Sequence, residues 1–237
     1  MVVNAAQTET ILFGANGVAE TLGKGAVFVS SATMDPDVAR RLAKQLEATG
    51  RHYLDAPISG RRAARGAGRT HHPGALAVRP PSPKPGRRSM RWRQSSTSSA
   101  TTPGQGAAFK MINQLLAGVH IAAASEAIAF AAKQGLDIRK VYEVITASAG
   151  NSWMFENRMP HVLDGDYAPR SAVEIFVKDL GIIQDMARSA KFPVPVAAAA
   201  LQMFLMTAAS GMGRDDDASV ARMYARVTGT HLPGEPK

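Results

Sequence analysis

The chain has no cysteine, few aromatic residues and no apolar run that approaches the roughly 18 residues needed to cross a bilayer. The absence of cysteine excludes disulfides and thiolate metal sites. The first ten residues, MVVNAAQTET, also lack the basic start and apolar centre of a signal peptide. We therefore expect a soluble, cytoplasmic protein that does not associate with a membrane.

Acidic residues are missing from residues 61–102, although this stretch holds nine arginines and one lysine. The other 195 residues carry 18 basic and 19 acidic residues, so their net charge is −1. The net charge of +9 of the whole chain therefore comes from residues 61–102. A basic stretch could bind nucleic acid through phosphate contacts. Because Trp92 is the one aromatic residue interleaved with these arginines, this alternative is weak, and we expect no nucleic-acid partner.

The same stretch also lacks any regular apolar period. It contains five prolines, and residues 95–102 consist of serine, threonine and alanine alone. Such a segment buries too little apolar surface to offset a backbone entropy cost of about 1–2 kcal/mol per ordered residue. We expect residues 61–103 to be an anomalous, disordered segment.

Residues 1–60 show the alternation of strand and helix patterns that is typical of an α/β domain. Apolar runs at 26–29 and 53–54 predict two strands, and the amphipathic pattern over 37–49 predicts a helix between them. Residues 104–237 are instead helical in composition, beginning with one long helix over 107–134. Shorter helices are predicted over 138–147, 171–190, 195–209 and 216–227. The sequence therefore predicts an α/β region followed by an all-α domain.

One polar group lies near the start of the long helix. Lys110, Asn113 and Gln114 share a helical face, because residues three and four apart are neighbours. A lysine beside carboxamides could move a proton to or from a substrate oxygen. Gly104 and Gly106, just before it, allow a backbone or a cofactor to approach closely. The alternative is an ordinary exposed lysine.

A second candidate follows the strand at 53–54, in the stretch Asp55-Ala-Pro-Ile-Ser59-Gly60. Ligands collect at the carboxyl ends of strands in α/β folds, so Ser59 and the following N–H groups could hold a carboxylate. The alternative is a simple turn, since proline, serine and glycine form turns in any case.

Other charged groups give weaker signals. Lys178 and Asp179 are adjacent on a predicted helix, so their side chains should point in different directions, as in a solvated pair. The acidic run 215–217 precedes a predicted helix, where carboxylates more often stabilise the helix dipole than bind metal. We therefore predict no metal site. Trp153, Met154 and Phe155 are expected to be core or interface side chains.

In their order and spacing, these motifs resemble those of the β-hydroxyacid dehydrogenases, the group of 3-hydroxyisobutyrate dehydrogenase. The similarity rests on Asp55-Ala-Pro-Ile-Ser59-Gly60, on Gly104-x-Gly106-x-x-x-Lys110-x-x-Asn113-Gln114 and on Lys178-Asp179. The stretch from Asn151 to Arg158 is similar to the L-threonate dehydrogenase-like branch in particular. The resemblance covers residues 1–60 and 103–237.

The resemblance implies a fold, a reaction and partners. Residues 1–60 would be the C-terminal part of a Rossmann domain, joined by a long interdomain helix to an all-α domain over 104–237, with the active site between the two domains. The reaction would be oxidation of a small hydroxy acid, of the L-threonate or 3-hydroxyisobutyrate type, with NAD as cofactor and NADP as the alternative. The helical domain would form a homo-oligomer, a dimer or tetramer.

The resemblance also implies a role for each matching residue. Lys110 would be the general acid/base of the reaction. The substrate would be bound by Ser59, Gly60, Asn113 and Gln114. The cofactor would be bound by Val3, Asn4, Thr33 and Lys178.

Two departures from the family pattern favour an impaired or inactive enzyme. The sequence has no Gly-x-Gly-x-x-Gly loop to hold the cofactor pyrophosphate, and about 60 residues, or two βα units, are expected upstream of Met1. The basic segment also replaces the family's strands after Gly60, although the interval of 51 positions from Ser59 to Lys110 is preserved. Two compensating frameshifts would produce this combination, and translating the other two frames of the coding DNA tests it. The alternative is a helical oligomerisation remnant without catalysis.

Overall fold

The structure, a computed structural model, describes residues 2–59, 74–75 and 102–235. The predicted disordered segment lies outside these residues except for 74–75 and 102–103, and Gly60 also lies outside them. The chain divides into two compact units, Met1–Ile112 and Asn113–Lys237.

The first unit confirms the predicted α/β pattern. Its parallel strands pair in register, with Ser30 opposite Asp55, and a short antiparallel pair places Ile58 opposite Ala75. The elements are α1 (Ala5–Phe13), β1 (Val27–Ser30), α2 (Pro36–Glu47), β2 (His52–Asp55), β3 (Ile58–Ser59), β4 (Gly74–Ala75) and the start of α3 (Gln105–Lys133).

Local sequence explains why α2 forms where it does. Asp35 is the N-cap and accepts the Asp37 N–H at 2.6 Å, while Pro36 occupies the first turn, where its missing N–H costs nothing. The apolar face of α2 is buried in a core that includes Leu42, Leu46 and Tyr53. This core also includes Ala107, so the first turn of α3 packs into the α/β unit.

The second unit is helical, as predicted. After the remainder of α3 it contains α4 (Ile138–Thr146), α5 (Trp153–Asp164), α6 (Val173–Ser189), α7 (Pro195–Thr207), a π-helical turn (Ala208–Met212), a 3-10 turn (Asp217–Ser219) and α8 (Val220–Thr228). Helix α5 was not predicted from the sequence, and it contains Pro160, a residue that disfavours helix interiors. Its start could have been found from Ser152, which accepts the Phe155 N–H at 3.0 Å.

The aromatic residues at the start of α5 divide between core and surface. Met154 and Phe155 are buried, and Phe155 stacks on Tyr142 with ring centroids 5.9 Å apart. Trp153 is exposed. The expectation of core or interface side chains is therefore confirmed for Met154 and Phe155 as core residues, and an interface role for Trp153 stays a prediction.

Two helices of the described residues are long and apolar enough to cross a bilayer by length and composition, namely α3 and the continuous stretch Pro195–Met212. The expectation that no apolar stretch approaches the length needed to cross a bilayer was therefore wrong. Polar residues such as His120 and Glu126 interrupt the apolar runs of α3, but an average over 18 residues tolerates them. Core helices of globular domains pass the same test.

Asp216 joins three segments of the second unit. Its buried carboxylate bonds His161 Nδ1 at 2.8 Å and accepts the N–H groups of Arg170 at 2.9 Å and Ala218 at 3.2 Å. Burial raises the pKa of Asp216, but the hydrogen bonds from His161 and the two backbone N–H groups outweigh it and lower the pKa to about 2. The acidic run therefore stabilises this unit through long-range bonds.

We expect Asp216→Asn to lower the free energy of unfolding by about 2 kcal/mol at pH 7, because the folded pKa lies below the ordinary value of 3.8. The ionised form is favoured by folding, so this contribution is present above about pH 4 and is lost as the pH falls towards 2. Urea unfolding of Asp216→Asn and of the parent at pH 7 and pH 3 measures this contribution. A difference in unfolding free energy that is the same at both pH values would contradict the lowered pKa of Asp216.

Candidate functional site

Lys110, the predicted acid/base, lies in the second turn of α3 with 7% of its surface exposed. The first turn of the same helix is held by Asp55, whose Oδ2 accepts the Ala107 N–H at 2.8 Å. The backbone N–H groups of Gly104 and Gly106 also donate to this carboxylate. Burial raises the pKa of Asp55, and these three hydrogen bonds oppose the rise.

Gly104 has a structural reason to be glycine. Its φ is +86°, and a Cβ there would lie 2.7 Å from the carbonyl oxygen of Pro36. The close approach predicted for this motif is thus made by the chain's own α2 backbone. The glycine lets the start of α3 sit against α2, in the unit that also carries Asp55.

The second unit contains a hydrogen-bonded group around Asp179, which is 1% exposed. Lys178 Nζ donates to Asp179 Oδ1 at 2.5 Å, and Gln114 Nε2 donates to Asp179 Oδ2 at 2.6 Å. Asn113 Nδ2 in turn donates to Gln114 Oε1 at 3.0 Å. Asp179 therefore fixes the orientation of the Gln114 amide, and through it that of the exposed Asn113 amide.

This geometry corrects the expectation for Lys178 and Asp179. Although they are adjacent on α6, their side chains meet in an ion pair and do not point apart, because the long lysine side chain folds back onto the carboxylate. The pair is also not solvated, since Asp179 is buried.

The predicted cofactor residues of the first unit occupy two places. Thr33 is half-buried in the loop that follows β1, at the carboxyl edge of the parallel pair. Val3 is 56% exposed, and its N–H donates to Gln7 Oε1 at 2.8 Å. Asn4 is the N-cap of α1, where its Oδ1 accepts the Gln7 N–H at 2.9 Å. The side-chain oxygen of Asn4 is thus hydrogen bonded within the helix that Asn4 caps.

The predicted carboxylate-binding loop is described only in part. The backbone of Ser59 is in β3 opposite Gly74, whereas Gly60 lies outside the described residues. Among the described residues, no group of three or more histidines or acidic residues could hold a metal ion.

Sequence reasoning did not include Asp55 or Asp179 among the site residues, although both stood in the motifs. Each makes its decisive contact with a residue more than 50 positions away, 52 for Ala107 and 65 for Gln114. A usable signal was present, since a carboxylate expected at a strand end or inside an apolar helix face requires a partner.

Comparison with known proteins identifies the family. Residues 104–224 match the family described as the NAD-binding domain of NADP-dependent 3-hydroxyisobutyrate dehydrogenase, and residues 1–77 match the NAD-binding domain of 6-phosphogluconate dehydrogenase. An L-threonate dehydrogenase of Cupriavidus necator is 46% identical over 240 residues, which cover 99% of this chain and 78% of that protein. The chain belongs to the β-hydroxyacid dehydrogenase family. This family consists of NAD(P)-dependent oxidoreductases, as the sequence resemblance implied.

Further relatives agree with this assignment to the family. The mitochondrial 3-hydroxyisobutyrate dehydrogenase of Bos taurus is 31% identical over 215 residues, covering 87% of this chain and 63% of that protein. The crystal structure of a 3-hydroxyisobutyrate dehydrogenase from Salmonella typhimurium superposes with a TM-score of 0.78 at 43% identity, covering 94% of this chain and 77% of that one. The higher identity to the Cupriavidus protein places the chain with the L-threonate dehydrogenase branch, and the predicted fold class is confirmed.

Proposed function

We propose that this chain oxidises the hydroxyl of a small hydroxy acid, with L-threonate as the first candidate and 3-hydroxyisobutyrate as the second. The observation that carries the substrate choice is the 46% identity, over 99% of the chain, to an L-threonate dehydrogenase. The stretch Asn151–Arg158, which is similar to that branch, supports the same choice.

Lys110 is the proposed general acid/base. A buried lysine in the second turn of a capped helix is held in a defined place, as proton transfer over hydrogen-bond distance requires. In the oxidation direction its neutral amine accepts the substrate hydroxyl proton, and in the reduction direction its ammonium returns that proton.

Asn113 is the proposed substrate-orienting residue. It is exposed, and its amide lies one helical turn from Lys110 on α3. Gln114 is buried and hydrogen bonded to both Asn113 and Asp179, so it supports the substrate through Asn113. Ser59 and Gly60 would hold the substrate carboxylate.

The cofactor would be NAD or NADP, which accepts the hydride from the hydroxyl-bearing carbon when bound. Thr33, at the carboxyl edge of parallel strands, fits the nicotinamide half of a dinucleotide. Val3, Asn4 and Lys178 are the other proposed contacts. Residues 61–102 carry the basic segment where the family continues into further strands, so we propose impaired turnover.

Dinucleotide reduction by the purified chain tests this function. L-Threonate and 3-hydroxyisobutyrate are each assayed with NAD and NADP at millimolar concentration, and isobutyrate, which has no hydroxyl to oxidise, is the matched control substrate. We expect a slow rate with L-threonate and none with isobutyrate. Absence of turnover together with absence of NADH binding by fluorescence would overturn the proposal and favour the helical remnant without catalysis.

We further propose a cytoplasmic homo-oligomer, a dimer or tetramer, that forms through the helical unit without nucleic acid or membrane. Large apolar side chains of this unit are exposed in the single chain, among them Phe130, Phe192 and Val196. Burying such side chains against another copy removes apolar surface from water. Light scattering of the intact chain would give the mass of the assembly.

A further inference from the structure

We propose that Asp55 is a positioning residue, which holds Lys110 in place by capping the start of α3 from another element. The inference rests on the proposed role of Lys110. Asp55 ends β2 with 2% of its surface exposed, and its carboxylate accepts N–H groups from Gly104, Gly106 and Ala107, the last at 2.8 Å.

Helix α3 has no local side chain at its N-cap. It begins at Gln105, so its N-cap is Gly104, which has no side-chain oxygen to accept the free N–H groups of the first turn. A larger residue is excluded there by the positive φ and by the approach of the Pro36 carbonyl. The first intrahelical bond runs from Ala108 N to Gly104 O at 2.9 Å, and the Gln105 N–H donates to Thr102 O at 3.3 Å. Asp55 accepts the other free N–H groups of this start, those of Gly104, Gly106 and Ala107.

The cap acts close to the proposed acid/base. Lys110 is three residues beyond Ala107, so the two lie on one side of the helix about one turn apart. The bond from the Ala107 N–H to Asp55 at the end of β2 fixes how the first turns of α3 are rotated about the helix axis and where they lie along it. It thereby fixes the point from which the Lys110 side chain extends. A misplacement of about 1 Å at a reacting group can cost on the order of 10²-fold in rate.

A carboxylate is an expensive way to cap a buried helix start, because its charge must leave water. Neutral asparagine or serine would cap at lower desolvation cost. The ionised side chain, however, offers more acceptor sites and places a negative charge at the positive end of the α3 dipole. Three N–H groups on one carboxylate are the observation that uses this extra capacity.

The test compares Asp55→Ala with Asp55→Asn and first measures Lys110 directly. Lysines are acetylated with a low dose of reagent, and the rate at Lys110 is divided by that at Lys24 and Lys44, exposed lysines of the same unit, after peptide mass spectrometry. We expect Asp55→Ala to raise the relative rate at Lys110 at least fivefold, because the first turn frays. Asp55→Asn, which keeps one side-chain oxygen, should stay within about twofold.

Turnover gives the second readout. Asp55→Ala should lower kcat by about tenfold to a hundredfold while the KM for the hydroxy acid changes less than threefold, and Asp55→Asn should recover most of the rate. The matched control is Asp137→Ala, which removes the N-cap of α4, where Asp137 accepts the Arg139 N–H at 2.9 Å. It should leave Lys110 acetylation and kcat unchanged.

The outcomes separate the two proposals. An unchanged relative rate at Lys110 in Asp55→Ala, or a rise shared equally by Lys24 and Lys44, would overturn the positioning role. Because acetylation does not depend on turnover, a chain that shows the Lys110 effect but oxidises no hydroxy acid would retain the cap and reject the proposed function.

Discussion

Lys110→Met is expected to lower kcat/KM for the hydroxy acid by about 10²–10⁴-fold, the usual contribution of a general acid or base. Methionine has a similar length and fills the same buried space, but it cannot accept or return a proton. It also removes a charge that is costly to bury, so the fold should be retained. Initial rates of NAD reduction with L-threonate give the loss, and NADH fluorescence checks that cofactor binding is unchanged.

Lys140→Met is the matched control. Lys140 is exposed on α4, where its Nζ pairs with Glu143 Oε2 at 2.9 Å, so its loss should change the rate less than twofold. A Lys110→Met protein with the same rate as the parent would remove Lys110 from the mechanism. Equal losses in both variants would instead point to a general effect of lowering the positive charge.

The sequence predicted well the features that depend on neighbouring residues. The β1–α2–β2 order followed from short apolar runs on either side of an amphipathic stretch, and the bounds of α4 followed from Asp137, which does cap that helix. These signals lie within a few residues of the structure they specify, so no distant partner is needed to interpret them.

What the sequence did not reveal depends on distant partners. Asp217 is one of three consecutive carboxylates before a predicted helix, yet it forms a buried pair with Arg158, 59 positions away. The sequence predicted a solvated Asp179, but this side chain is buried and bonded to Gln114, 65 positions away. In each case the sequence shows the acidic residue, but its partner depends on how distant parts of the chain fold together. Burial then requires that partner, because a buried charge without one is strongly destabilising.

The Arg158–Asp217 pair carries the largest expected effect on stability. Arg158 Nε and Nη2 donate to the two carboxylate oxygens at 2.5 and 3.1 Å, and Asp217 is fully buried. Burial raises the pKa of Asp217 to about 6, although the Arg158 charge and hydrogen bonds oppose the rise. The carboxylate thus depends on Arg158 to remain ionised inside the unit.

Arg158→Met is therefore expected to lower the free energy of unfolding by about 3–5 kcal/mol at pH 7.5, because an uncompensated buried charge remains. Asp217→Leu should cost a similar amount by leaving the guanidinium unpaired, whereas the double variant should be within about 1–2 kcal/mol of the parent. Urea unfolding of all four proteins gives the coupling energy, and additive losses would mean that the two side chains stabilise the unit independently.

The pH dependence of Arg158→Met supplies a second check. Since the folded pKa of Asp217 lies above the ordinary value of 3.8, its ionised form is disfavoured by folding, and that penalty is present above the folded pKa. Without Arg158 the folded pKa rises further, so Asp217 takes up a proton as the pH falls from 7.5 towards 5. The difference in unfolding free energy between Arg158→Met and the parent should narrow over that range, and a difference that stays constant would show that the loss comes from packing and not from the buried charge.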